Sequence, residues 1–483
     1  MKIKRIKKHI PLLALFGIVL FLLPPMAARA GGMSSGDDPR TMTFDPIVFQ
    51  PPKAERRILS NGMIVYLMED HELPLIDLQI TIRTGDIYEP ANKIGLASLT
   101  GSVMRSGGNR SHSSEKLDEI LDQIAARMSV GIGSTSGSAS LNTLKKDFDF
   151  GLKLLTETLI FPVFEEDKLN IAKNRALEGI RRRNDRASGI ATREFFKQLY
   201  GTDNPYARES TVETINAITR DDLIAFHQKY FVPNNMMLGV TGDFDLDEMI
   251  KKLEKTFAGW EKKPVDFPKV ATVSERKKGA VYKINKAISQ TQVRIGHLGI
   301  KQDNPDFYAL SIMNDILGAG GLTSRLFQDI RTRQGLAYSV GSAFRPGKLE
   351  RGFFLAYGAT RAEKTLQAMT TIIQHIGEIR EGLVSDEELK RAKEAFLNSF
   401  IFSFSSPAQI VGRQISLEYY GLPGDFLEQY RANVEKVTKD DILRVAKKYL
   451  HPDRLIVVAV GDESLFDKPL SALGQVEEIV LTP

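Results

Sequence analysis

The stretch TRDDLIAFHQKYFVPNNMMLGVTGD, residues 219–243, returns as TKDDILRVAKKYLHPDRLIVVAVGD at residues 438–462, 219 positions later and without a gap. Eight of the 25 positions are identical: Thr219/Thr438, Asp221/Asp440, Asp222/Asp441, Lys229/Lys448, Tyr230/Tyr449, Pro233/Pro452, Gly242/Gly461 and Asp243/Asp462. Each copy makes local sense. Thr219 with Asp222, and Thr438 with Asp441, have the spacing at which a hydroxyl and a carboxylate satisfy the free N–H groups of a helix start. Proline ends each helix, an apolar run short enough for a buried strand follows, and Gly-Asp closes it as a turn. The chain therefore reads as two copies of one α+β domain, with any active site between them.

Outward from the repeat, 483 residues suit two domains of about 200 each. The domains are expected at 53–261 and 281–483, joined by a charged, proline-containing linker at 262–280. Asn61-Gly62 between alternating runs predicts a hairpin over Arg56 to Glu69. A strand from Leu75 to Arg83, a helix from Ile94 to Arg105 and a Ser114-capped helix follow. Strands at 128–133 and 135–142 and helices near 145–160 and 165–186 complete the first pass.

Residues 1–30 have the form of a secretion signal: basic start, apolar Ile10 to Leu23, Pro24-Pro25 and an Ala28-Arg29-Ala30 cleavage site. Residues 31–52 read as a flexible leader. Export to a bacterial periplasm follows, or inner-membrane anchoring if the signal is retained. Those first 30 residues carry six basic groups and no acidic one, so the +5 chain falls to −1 without them. A nearly neutral body gives no electrostatic case for nucleic acid.

There are no cysteines, which excludes disulfides, thiolate metal sites and cysteine nucleophiles. No two of the seven histidines lie three to five positions apart, so no helix turn presents an imidazole pair to a metal. The GAGG at 318–321 lacks a following Gly-Lys-Ser/Thr, which leaves its glycines to close packing rather than phosphate. The sharper signal is GGLTSRLFQDIRTRQGLAYSVGS, residues 320–342. A helix from Thr323 to about Arg333, a turn and a strand from Leu336 would place Arg331 and Tyr338 together. Both are donors suited to carbonyl oxygens. Spacing alone leaves two readings, a structural contact between them or donors aimed into a cleft.

With these motifs in hand, the chain resembles the insulinase/pitrilysin-type metallopeptidase family over about residues 53–465. LSNGMIVYLMED at 59–70 is similar to the family's opening hairpin, and residues 320–340 to its second-half signature. The resemblance implies two tandem homologous domains, each a largely antiparallel sheet packed with helices, closing like a clam around a peptide cavity. Active members carry H-x-x-E-H on the first helix and a distal glutamate, holding zinc with the motif's own glutamate as base. Here Ser98, Gly101 and Ser102 fall at those positions, and Gly179 at the distal one, beside Glu178. No metal is therefore expected in this chain. By the same resemblance, Arg331 and Tyr338 match the pair that grips substrate carbonyls. The implied function is the zinc-free, substrate-binding subunit of an exported heterodimeric zinc endopeptidase, whose homologous H-x-x-E-H partner holds the zinc. The alternative is a peptide-binding or scaffold protein with no catalytic part.

Overall fold

The computed structural model describes residues 49–481, so the expected signal, and all but the last few residues of the leader, lie outside the described residues. The first half runs β1 (Glu55–Ile58), β2 (Ile64–Glu69), β3 (Leu75–Arg83), α1 (Leu96–Ser106), α2 (Ser114–Gln123), β4 (Arg127–Ile132) and β5 (Ser136–Leu144). It continues through α3 (Phe148–Ile160), α4 (Glu166–Arg181), α5 (Ala187–Tyr200), α6 (Val212–Ala217), α7 (Arg220–Tyr230), β6 (Met236–Gly242) and α8 (Leu246–Phe257). After a segment without helix or strand come β7 (Ala280–Asn285), β8 (Gln290–Leu298), α9 (Phe307–Asn314), β9 (Ala337–Arg345) and β10 (Phe353–Arg361). The chain closes with α10 (Thr365–Glu378), α11 (Asp386–Phe402), α12 (Pro407–Tyr420), α13 (Phe426–Lys436), α14 (Lys439–Tyr449), β11 (Ile456–Gly461) and β12 (Val476–Glu478).

The strands form two six-stranded sheets of one design. The first is ordered β1-β2-β6-β3-β5-β4 and the second β12-β7-β11-β8-β10-β9. In both, the repeat's strand (β6 or β11) pairs parallel on one side and antiparallel on the other. Both capping boxes form: Thr219 and Thr438 each accept from the backbone N–H three residues on, while Asp222 and Asp441 reach back. The mixed α+β fold with two homologous, mostly antiparallel sheets is thus the one expected from the repeat.

Alternation along the strands decides what each sheet face meets. Ile76, Leu78, Ile80 and Ile82 of β3 point to one side, into a core shared with α1, α3 and α7. The matching core of the second half gathers Val293 and Ile295 of β8 with Ile372, Val445 and Leu326. The other sheet faces are covered by exchange. Helix α5 of the first half lays Ile190, Phe195 and Leu199 on Tyr282, Leu355 and Val458 of the second sheet. Helix α12 of the second half lays Val411, Ile415 and Tyr419 on Tyr66 and Met237 of the first. Each swapped helix carries, in its last turn, a tyrosine that bonds a hairpin of the far half. Tyr200 donates to the Arg351 carbonyl at 3.2 Å and Tyr419 to the Thr135 carbonyl at 2.5 Å. Burying three large apolar side chains per helix contributes roughly 1.5–3 kcal/mol each, so the exchange is a main bond between the halves.

The expected helix at 165–186 stops at Arg181 because the chain must turn to carry α5 across. Arg193 takes up the Arg183 carbonyl (3.2 Å) and the Asn184 side chain (2.9 Å), and Lys286 the Asn184 carbonyl (3.0 Å), which satisfies the broken backbone.

Candidate functional site

Helix α1 starts at Gly95, held in the left-handed region at φ 108°. Its free N–H groups are taken by Glu89, whose carboxylate accepts from Gly95 N (2.9 Å) and from Ala97 N. Glu89 is 5 % exposed, and burial pushes its carboxyl up to about 7 against the pull of those two N–H bonds. Arg208 braces the same turn, donating to the carbonyls of Asp86 (2.9 Å) and Glu89 (2.7 Å). Asp86, Glu89, Ser98, Ser134, Tyr206 and Arg208 line a cleft of about 260 Å³.

Ser98 and Ser102, one turn apart, are both exposed on α1, and Gly101 between them is buried. A Cβ at Gly101 would lie 2.8 Å from Ile132 N and 3.0 Å from the carbonyl carbon of Gly131. Helix and edge strand touch backbone to backbone there, which leaves no room for any side chain. Gly179 stands exposed on α4 with open space around it. Two hydroxyls and two glycines do not fit a zinc ion, which needs imidazole or carboxylate donors, and no general base stands at position 101. Among the described residues no group of three or more histidines, aspartates and glutamates is placed to hold a metal.

The second set is built differently. The segment expected as an α-helix to Arg333 is a 3-10 turn at Gly321–Thr323 followed by a π-helical stretch at Phe327–Arg333. The wider turn closes with Gln334 N donating to Asp329 O (2.9 Å) and Leu336 N to Ile330 O (2.8 Å), around Gly335 at φ 61°. Such stretches often mark functional positions. Asp329 is tied to His375 of α10 at 2.8 Å, which fixes the stretch to the core side of the sheet. Burial alone would raise Asp329, but bonds from Gln334 and His375 bring it below the usual carboxylate range.

Tyr338 enters β9 at a bulge: Ser339 pairs with Ala359 and Ala337 with Thr360, so Tyr338 is the extra residue. The bulge turns it outward and leaves it 76 % exposed, while Ala337 beside it is buried. The Arg331 guanidinium lies 5.0 Å from the Tyr338 ring and 4.7 Å from the Phe327 ring, between two aromatic faces. Neither Arg331 nor Tyr338 spends its N–H or O–H donors on a hydrogen bond or ion pair among the described residues. The structure thus brings together the two residues that the spacing paired. It adds Phe327, Asp329 and His375, which the sequence did not single out for the site. A period of 3.6 does not distinguish α from π winding over seven residues, and no residue type announces the bulge.

The likeness to known proteins runs over most of the chain. The peptidase M16 inactive domain matches residues 217–396. An uncharacterized zinc protease YmxG of Bacillus subtilis is 25 % identical over 355 residues, 73 % of this chain and 85 % of that protein. A Helicobacter pylori protein named non-peptidase homolog YmxG is 24 % identical over 402 residues, 82 % and 91 % of the two chains. The crystal structure of a peptidase M16 inactive domain from Pseudomonas fluorescens superposes with a TM-score of 0.78 at 28 % identity, covering 86 % of this chain and all of that one.

Proposed function

We propose that this chain, which carries the inactive-type M16 peptidase domain and the fold of that insulinase/pitrilysin-type family, is the substrate-gripping subunit of an exported heterodimeric zinc endopeptidase. The reading rests on one contrast. Arg331 and Tyr338 stand together with unspent donors, while Ser98, Gly101, Ser102 and Gly179 offer nothing to a metal. A pure scaffold has no need of two donors held together by a π-helical turn and a bulge. A homologous H-x-x-E-H subunit would supply the zinc, the activated water and the base.

This chain's own part is binding and charge stabilisation. An extended peptide would bring its carbonyls to the Arg331 fork and the Tyr338 hydroxyl. Donors placed beforehand strengthen as negative charge grows on a carbonyl oxygen, which stabilises the transition state more than the ground state. The outer edge of β4, paired among the described residues only with β5 and lying against α1, supports docking of the peptide as an added strand. Export is carried by the basic-apolar-AxA start of the sequence. No helix among the described residues is long and apolar enough to cross a membrane.

The test is reconstitution. The chain alone should bind no stoichiometric zinc and cleave no peptide. With its H-x-x-E-H partner, Arg331→Ala should lower kcat by roughly 100-fold, and Tyr338→Phe by a smaller factor, with zinc content unchanged. Unchanged turnover in both variants would remove the gripping role.

A further inference from the structure

The hairpin between β9 and β10 carries Lys348 into the seam between the halves. Its ammonium lies 2.9 Å from the ring centre of Tyr419 and 5.6 Å from that of Tyr420, at the end of α12. Among the described residues it makes no ion pair and no hydrogen bond. Arg83, the last residue of β3, lies close enough to repel it; its guanidinium makes no hydrogen bond or ion pair among the described residues, though it lies within electrostatic reach of Glu418. The nearby carboxylates are already committed. Glu418 accepts from Arg56 at 3.0 and 3.2 Å and from Tyr66 at 2.9 Å. Glu350 of the same hairpin accepts from the N–H groups of Val273 (3.1 Å) and Arg351 (2.7 Å).

Two half-buried cations of like sign, near one carboxylate, Glu418, whose oxygens are already bonded to Arg56 and Tyr66, are unfavourable where they stand. The face of Tyr419 offsets part of that, but a ring does not replace an anion. Burial, then the charge of Arg83, push the Lys348 amine down to about 7, which marks the same deficit. The position links them to the candidate site. The Tyr419 hydroxyl bonds Thr135, and the adjacent Ser134 lines the cleft that holds Ser98, past the end of the β4 edge.

We propose that Lys348 and Arg83 receive a carboxylate of the bound peptide, either its free C-terminus or an Asp/Glu side chain. The inference rests on the peptide-binding reading above and assigns that reading a selectivity. A carboxylate fits because its two oxygens match one guanidinium and one ammonium, and its single charge lowers the local positive excess without overshooting.

The chain's expected lack of hydrolysis lets binding be measured directly, by fluorescence anisotropy on the full chain. Three labelled peptides of one sequence serve as probes: free acid, C-terminal amide, and amide with one internal glutamate. The wild type should hold at least one carboxylate-bearing peptide roughly tenfold tighter than the plain amide. Which of the two gains identifies the source. Lys348→Gln and Arg83→Gln should each erase most of that preference with the amide affinity unchanged, and Lys348→Arg should keep it. Equal binding of all three peptides by the wild type, or a preference that survives Lys348→Gln, overturns the inference and leaves the peptide-binding reading standing. Binding of none overturns both.

Discussion

Gly101 and Gly179 are the positions that the family resemblance sets against zinc-site glutamates, and the structure predicts opposite responses to the same substitution at the two. Replacing a helical glycine by alanine gains about 0.5–1 kcal/mol from the unfolded chain's lost freedom. At Gly179 nothing lies within 4 Å of the new methyl, so Gly179→Ala should stabilise by that amount. At Gly101 the methyl would sit 2.8 Å from Ile132 N and 3.0 Å from the Gly131 carbonyl carbon. These are strand backbone atoms, which cannot swing aside as a side chain can. Overpacking of this kind costs about 1–3 kcal/mol, so Gly101→Ala should destabilise by roughly 1–2 kcal/mol net. For a half of this size that separates the two variants by roughly 5–10 °C in calorimetric midpoint. Gly101→Glu should be worse again, so a zinc site could not be rebuilt here by restoring the motif alone. The reasoning fails if Gly101→Ala raises the midpoint as Gly179→Ala does.

His297 is 4 % exposed, and burial pushes its imidazole down to about 4. A histidine kept neutral in the fold must take up a proton on unfolding below about 6.5, so its contribution is lost as pH falls from there toward 4. Urea melts of wild type and His297→Gln should converge by about 3 kcal/mol over that range, and parallel pH profiles would show that His297 is not the group responsible. Tyr200→Phe and Tyr419→Phe each remove one bond tying a swapped helix to the far hairpin. Each should lower stability by about 1 kcal/mol and speed hydrogen exchange in the opposite half, and a change confined to the mutated half would contradict the exchange. Thr219→Ala and Thr438→Ala should cost about 1 kcal/mol apiece and add independently, since the capping boxes are equivalent; a clearly non-additive double variant would argue otherwise.

The duplication was legible because its marks are local. A cap hydroxyl at Thr219 and Thr438, a helix-stopping proline and a Gly-Asp turn act within a few residues. Tyr200 and Tyr419 lie at the same 219-residue offset, yet outside the matching window, and their shared role needed coordinates. The exchange of α5 and α12 was not legible, because an amphipathic stripe says that a face is buried and not which sheet buries it. The pairing of Arg331 with Tyr338 was legible from spacing, but its mechanism was not. A π-helical turn and a bulge aim the two side chains, and neither has a compositional signal. That position 101 offers no base is an expectation of the resemblance; the backbone contact that leaves no room for one there needed coordinates.

The most direct test of a metal-free chain lending its donors to another subunit's zinc is metal analysis and peptide turnover on the co-purified native complex, with and without Arg331→Ala. One zinc per pair, lost with the partner, and a complex that keeps its zinc but loses about 100-fold in turnover on Arg331→Ala, is the expected outcome. Zinc retained by this chain alone, or turnover indifferent to Arg331, would contradict it.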